Sequence, residues 1–289
     1  MLLSQQSNST LILGAHGFLG TALCRLFDQQ QSPYLKPSSK SLDLSDSSSI
    51  AFLEEIANSV TSIIFLSAIT PDRNRTIDAQ SKNLSMIDNL VVAFKASKTL
   101  AHITYVSSDA VYAPTKQHIN ETTSTGPDSP YGEMHLQRER AISKLNIPCA
   151  ILRPTMLYGH HDSHTSYGAS RLINEAICGP VSIFGRGEEY RDYIHVEDAA
   201  KLIYQASHQK LSGVWNLASG CSLTFLALVN LIEACQNTSL EIKYLERKQA
   251  ITHKHFDIQK LKDTFPDCSI RSIETGISQI LEQHNRDHG

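Results

Sequence analysis

The sequence predicts an α/β chain, a doubly wound parallel sheet carrying a smaller α+β lobe. Three observations lead there. Short apolar runs recur at TLILG (10–14), SIIFLSA (62–68), HITYVSS (102–108) and CAILRP (149–154). The runs are continuous rather than alternating, the pattern of strands buried on both faces. Longer stretches with helical spacing separate them.

Taken in order, TLILG is a buried strand followed by a helix from about Gly17 to Gln30. SIIFLSA precedes a helix over Ala79 to Lys98, where Leu84, Ile87, Leu90, Val91 and Phe94 share one side. HITYVSS is the next strand, Tyr131 to Leu145 the next helix, and Pro154 closes the strand CAILRP. Beyond Pro154 the rhythm breaks into short strands (VSIFG, YRDYIHV), then resumes with a helix at 196–208 and the strand GVWNLA. From about 222 onward two or three helices and one strand, LEIKYLE, are expected. This divides the chain into a sheet domain, 1–160 with a return segment near 192–218, and a smaller lobe, 161–191 and 219–289. The lobe is expected over the carboxyl ends of the strands, where open α/β sheets bind ligands.

Composition narrows the function class. Twenty-six basic and 29 acidic residues among 289 give a formal net charge of −3, which points away from nucleic acid and membrane surfaces. No apolar run reaches membrane-spanning length, and MLLSQQSNST lacks the basic flank and apolar core of a leader. The six cysteines (Cys24, Cys149, Cys178, Cys221, Cys235, Cys268) form no CxxC pair and read as reduced thiols. A cytoplasmic protein is expected.

LILGAHGFLG places Gly14, Gly17 and Gly20 in GxxGxxG spacing between a strand and a helix. Glycines permit the tight turn and close backbone approach that a pyrophosphate needs, and the helix amino terminus supplies free N–H groups. This is the dinucleotide-binding turn of the Rossmann type. An acid ending the second strand binds the ribose 2′-hydroxyl of NAD; here the region reads YLKPSSKSLDLSD. Ser38, Ser39 and Lys40 suit a 2′-phosphate and tilt the choice between NAD and NADP toward NADP, while Asp43 is placed near the adenine.

Further motifs follow in order: VSSDAVY (106–112), SPYGEMHLQRE (129–139), LRPTMLYG (152–159), RDYIHVEDAA (191–200), GVWNLASG (213–220) and FDIQKLK (256–262). Together with the glycine turn, they resemble the extended short-chain dehydrogenase/reductase family, in its branch of nucleotide-sugar epimerases, dehydratases and reductases. The resemblance spans nearly the whole chain. It implies a cofactor lined by Gly14, Gly17, Phe18, Leu19, Gly20, Asp43, Leu44, Ser67, Ala68, Tyr131, His135 and Pro154. It implies Tyr131 as the acid/base, Ser108 as the group holding the reacting sugar oxygen, and Asn83 as shaping the helix and proton path. Ser108, Asp109 and Arg191 are implied at the substrate, Arg191 on its diphosphate, a task suited to a guanidinium fork. A homodimer through the 79–98 and 131–145 helices is implied as well.

The pattern departs from the family at three places. His135 stands where the family has the lysine that binds the nicotinamide ribose and lowers the tyrosine pKa. A unit charge about 4 Å away, at effective dielectric about 20, is worth roughly 4 kcal/mol, or about three pKa units. A lysine keeps that charge at neutral pH, whereas histidine is mostly neutral there, and Glu139 four residues on is expected to pair with His135 and raise its pKa. Asp109 is followed by Ala110 where 4,6-dehydratases carry a second carboxylate, which disfavours dehydration. Ala113 also replaces the glycine of the family's VYG. The histidines of GHHDSH (His160, His161, His164) fit no usual zinc spacing, so no metal is expected; His161 or His164 is a candidate sugar or phosphate contact. Two readings stay open: an NAD(P)-dependent epimerase or keto-sugar reductase, or a non-catalytic regulatory or scaffold protein that retains the nucleotide site.

Overall fold

The computed structural model describes residues 9–71, 76–95, 97–162 and 168–288. The first eight residues, on which the reading of no leader rested, and His164 lie outside them. In chain order the elements are β1 (Ser9–Leu13), α1 (Phe18–Gln29), β2 (Tyr34–Leu35), α2 (Ser49–Ala57), β3 (Val60–Phe65), α3 (Ile77–Phe94), β4 (His102–Val106), α4 (Pro130–Ser143) and β5 (Cys149–Pro154). Then come β6 (Met156–Tyr158), α5 (Gly168–Cys178), β7 (Val181–Phe184), β8 (Tyr190–Arg191), β9 (Tyr193–His195), α6 (Val196–His208) and β10 (Gly213–Leu217). The remainder is β11 (Leu223–Thr224), α7 (Phe225–Gln236), β12 (Ile242–Leu245), α8 (Gln259–Thr264) and α9 (Ile273–His288).

Six strands form one sheet in the order β10-β5-β4-β3-β1-β2. The β1–β2, β1–β3, β3–β4 and β4–β5 pairings are all parallel. The order reverses between β1 and β3, so the switch point where such sheets bind ligands lies outside their carboxyl ends. The expected α/β, Rossmann-type sheet is therefore present. Expected strands and helices fall within a few residues of those observed; α3 starts two residues earlier than expected and stops at Phe94.

Contacts divide the chain into two compact units. Unit 1 comprises residues 1–113, 124–153 and 200–215; unit 2 comprises 114–123, 154–199 and 216–289. The observed boundary falls at Pro154 rather than 160, where the proline ends β5. The segment 114–123 joins unit 2 because Ile119 bridges to Phe256. Unit 1 packs Leu11, Leu13, Ile63, Phe65, Ile103 and Tyr105 of the sheet against Leu53, Ile87, Leu90 and Ile142 of the helices. Unit 2 has its own core, in which Leu172, Ile173, Ile183, Tyr193, Leu228, Ile232 and Ile277 are buried. No helix among the described residues is long and apolar enough to cross a membrane.

Candidate active site

The glycine turn sits at the switch point. Gly14 directly follows β1 with φ +93°, a conformation open to glycine. A Cβ there would meet the Ser67 nitrogen at 2.8 Å, so the turn after β1 is pressed against the segment that follows β3. At Gly20 a Cβ would overlap the Gly14 carbonyl, which locks the start of α1 onto the turn. Gly17 differs. Its Cβ would meet only Gly14 O, at 3.5 Å, and otherwise project into open space. Gly17 is also the N-cap of α1, and no side chain caps it. Free first-turn amides of Phe18, Leu19 and Gly20 beside a missing side chain fit a pyrophosphate.

Around that turn, Leu44 is buried and its carbonyl accepts from Asn89 Nδ2 at 2.9 Å. Asp43 Oδ1 accepts from Ser45 N at 2.9 Å. Beyond β2 the chain continues with Lys36, not an acid. Ser38 is tied to Ser41 by hydroxyl and backbone bonds, while Ser39 and Lys40 are exposed.

The tyrosine helix is built by its first four residues. Ser129 accepts from Gly132 N at 3.2 Å as N-cap, and Pro130 occupies the first turn where its missing N–H costs nothing. Gly132 allows a close approach: a Cβ would overlap the Ala110 carbonyl. Hence α4 seats directly on the short 3₁₀ turn 109–111, which Ser108 caps by accepting from Ala110 N at 3.1 Å. The structure thus brings the Ser108–Asp109 segment onto the first turn of α4, which carries Tyr131.

His135 is buried, 2% exposed, and Tyr131 stands edge-on to its ring at 4.6 Å. Its Nδ1 shares a 2.6 Å hydrogen bond with Tyr105 Oη. Burial, followed by the positive charge of Arg138, pushes its pKa well below the ordinary value. His135 is neutral at physiological pH. The expected pairing with Glu139 does not form. Glu139 accepts two bonds from Arg153, at 2.9 and 2.6 Å, and one from Ser107 Oγ at 2.6 Å. Both Glu139 oxygens are engaged by these bonds, so no carboxylate remains to charge the imidazole. His135 Nε2 is buried without a hydrogen-bond partner among the described residues. An orphaned buried nitrogen beside the tyrosine fits a ribose hydroxyl.

Arg138 was not singled out by sequence reasoning. It is 0% exposed; its Nη1 donates to Ser67 O, in the segment after β3, at 2.7 Å, and its Nε to Asn83 O of α3 at 2.8 Å. Asn83 in turn grips Ile69 with both amide atoms, at 2.8 and 2.9 Å. Asn83 and Arg138 therefore brace the Ser67–Ala68 segment against α3 and α4. An arginine on the stripe otherwise filled by Met134, His135 and Ile142 was the available signal.

In unit 2, Arg191 donates to Thr252 O at 2.7 Å and to Thr252 Oγ1 at 2.9 Å, and stands 3.6 Å from Glu189. Asp192 faces elsewhere: it accepts from Ser219 N at 2.7 Å and Thr155 Oγ1 at 3.1 Å. His160 bonds Asp287 at 3.0 Å, and His161 joins them with side-chain donor atoms all within 4.8 Å. The Asp287 partner comes from α9 and was invisible to local spacing.

Residues 10–218 match the sequence model of the NAD dependent epimerase/dehydratase family. A Bacillus subtilis protein described as an uncharacterized UDP-glucose epimerase, YtcB, is 25% identical over 305 positions, covering 94% of this chain and 96% of that one. A Thermus thermophilus UDP-glucose 4-epimerase in complex with NAD superposes with a TM-score of 0.83 at 17% identity, over 96% of this chain and 99% of that one. A Bacillus anthracis dTDP-glucose 4,6-dehydratase in complex with NAD gives 0.82 at 16% identity, over 97% of each chain. At such identities the structural likenesses speak to the fold.

Proposed function

The chain belongs to the NAD dependent epimerase/dehydratase family, and from that premise we propose that it transforms a nucleotide-linked sugar by 4-epimerisation or keto-sugar reduction. The observation that carries this reading is the seating of Tyr131–Gly132 on the Ser108 turn, which needs a glycine against Ala110 O. Without that close approach, a glycine in the first turn of α4 would only lower the helix's stability. It makes sense where a phenol and a hydroxyl must converge on one oxygen.

NAD, or NADP, supplies a hydride acceptor and donor when bound. Gly14, Gly17 and the first turn of α1 would hold its pyrophosphate, and His135 Nε2 its ribose. Tyr131 takes the proton from the sugar hydroxyl as that carbon is oxidised and returns it on reduction. Ser108 orients the same oxygen. Asp109 and Arg191 are assigned to the substrate, Arg191 to the diphosphate. Ala110 leaves elimination of water without its second carboxylate, so dehydration is disfavoured. We assign a homodimer through α3 and α4; Val92 on α3 is 54% exposed.

The neutral His135 favours a second reading, a nucleotide-sugar-binding scaffold without turnover. The two separate on one experiment. The protein is incubated with NAD and with UDP-, dTDP- and GDP-linked hexoses, and with reduced cofactor and the 4-keto sugars, and products are followed by proton NMR. Conversion of at least one sugar is expected. Tight binding of cofactor and sugar nucleotide with no conversion in any arm establishes the scaffold instead.

A further inference from the structure

We propose that Arg138 is the fixed positive charge that serves Tyr131, taking over from the lysine that the family places four residues after the tyrosine. This rests on the reading of Tyr131 as acid/base. The geometry is helical. Seven residues is nearly two turns, so position 138 returns to within about 20° of Tyr131's direction, closer than position 135 at about 40°. Helical side chains lean toward the amino terminus, and arginine is the longest of them, so its guanidinium is carried back toward the Tyr131 end. Its contacts with Ser67 and Asn83 fix it on the cofactor side of α4.

The second observation is that the charge is uncancelled. Arg138 is wholly buried, and its hydrogen bonds among the described residues reach neutral groups: the Ser67 and Asn83 carbonyls, Asn83 Oδ1 at 3.2 Å, Met86 Sδ at 3.4 Å and the Tyr105 phenol. The face of Phe65 lies 5.0 Å from the guanidinium carbon. A guanidinium does not lose its proton in proteins. An unpaired buried cation is costly, and a side chain needed only to brace two carbonyls carries no such requirement for charge.

Other charged or titratable groups on the packed elements do not fill the role. Glu139 and Arg153 neutralise each other. His135 is neutral. Tyr105 on β4 is driven upward by burial and stays protonated. Asp109, at the turn under α4, has the wrong sign, and Lys82 on α3 pairs with Asp78 at the surface. Arg138 couples favourably to both the Tyr105 and Tyr131 phenols. The lost lysine's two tasks are thus divided: His135 keeps a ribose contact, and Arg138 keeps the charge.

The test is the ionisation of Tyr131, read by ultraviolet difference titration of the full-length protein with NAD bound, with Tyr131→Phe identifying its contribution. Arg138→Gln removes the charge but keeps hydrogen-bond donors; Arg138→Lys keeps the charge and loses the fork. In the wild type a phenol titrating below the ordinary tyrosine range, absent in Tyr131→Phe, is expected. Arg138→Gln moves it up by about one to two pH units, and Arg138→Lys leaves it in place. The alkaline rise of kcat shifts with it, while KM for the sugar nucleotide changes less than about twofold. A Tyr131 titration at the ordinary value, or equal behaviour of the Gln and Lys variants, overturns the proposal. If Arg138→Gln does not fold, Arg138→Lys decides: an unmoved titration supports the charge role, and an upward shift overturns it. A lowered, Arg138-dependent titration with no sugar converted would sink the enzymatic reading while leaving this inference intact.

Discussion

His135 Nδ1 lies 2.6 Å from Tyr105 Oη, and both groups are buried. The imidazole is thereby a neutral hydrogen-bonding side chain held inside α4, not a titrating substitute for a lysine. Its neutrality has a consequence for stability. A buried histidine with a depressed folded pKa binds fewer protons than the unfolded chain below about pH 6.5. The stability it allows is complete above that value and is lost as pH falls. His102, buried with Nε2 on Leu211 O at 2.7 Å, is shifted in the same direction by desolvation. The urea midpoint is expected to fall between pH 6.5 and 5, with each histidine contributing up to about 1.4 kcal/mol per pH unit. His135→Gln should flatten that slope; an unchanged slope would show the imidazole charged or exposed.

Activity should carry no ionisation from His135 between pH 6 and 8. Placing a lysine there introduces a second cation beside Arg138 in a buried site. His135→Lys is therefore expected to destabilise the protein by about 3 kcal/mol or more rather than to activate it. Urea unfolding and turnover at pH 8 measure both effects. A stable, faster variant would contradict the division of roles between His135 and Arg138.

Glu139 and Arg153 form a buried bidentate pair completed by Ser107 Oγ. Removing one partner leaves the other charge unpaired. Glu139→Gln should cost about 3–5 kcal/mol, whereas Glu139→Gln combined with Arg153→Met should recover part of it. A double-mutant cycle in urea tests this, and simple additivity would remove the pair as an energetic unit.

The three glycines of the turn should separate by what surrounds them. Gly20→Ala puts a methyl into the Gly14 carbonyl and should unfold the turn, with loss of stability and cofactor binding together. Gly17→Ala meets only one atom, at 3.5 Å. It should leave the melting temperature nearly unchanged and weaken cofactor binding about tenfold or more, by occupying the pyrophosphate's space. Calorimetric titration with NAD decides. Unchanged affinity in Gly17→Ala would place the pyrophosphate elsewhere.

We propose that cofactor choice turns on Ser38, Ser39 and Lys40, after β2 where no acid stands, Ser39 and Lys40 being exposed. NADP is expected to bind at least as tightly as NAD, and Lys40→Glu to weaken NADP selectively. Equal loss for both cofactors, or a strong wild-type preference for NAD, would move the 2′ position away from Lys40.

Much of this architecture was legible in the chain itself. Buried parallel strands announce themselves as continuous apolar runs, and Gly14, Gly17 and Gly20 carry local backbone demands that spacing reveals. Ser129–Pro130 likewise marks the start of α4 by capping chemistry alone. What sequence reasoning misplaced were pairings made across elements. Glu139 lies four residues from His135 on one helix, yet Arg153 of β5 claims it because a guanidinium offers two bonds where an imidazole offers one. Arg138 was hidden because arginine on a helix usually means solvent, and only the carbonyls of Ser67 and Asn83, 71 and 55 residues away, explain its burial. The Asp287 partner of His160 was concealed by the same distance along the chain.

The most direct measurement compares wild type and Tyr131→Phe, both loaded with NAD, for conversion of a nucleotide-linked hexose followed by proton NMR. A fall in turnover of about a hundredfold to ten-thousandfold is predicted, with sugar-nucleotide affinity retained, because only the proton-transferring oxygen is removed. Turnover of Tyr131→Phe at the wild-type rate would contradict the assignment of Tyr131 as the acid/base.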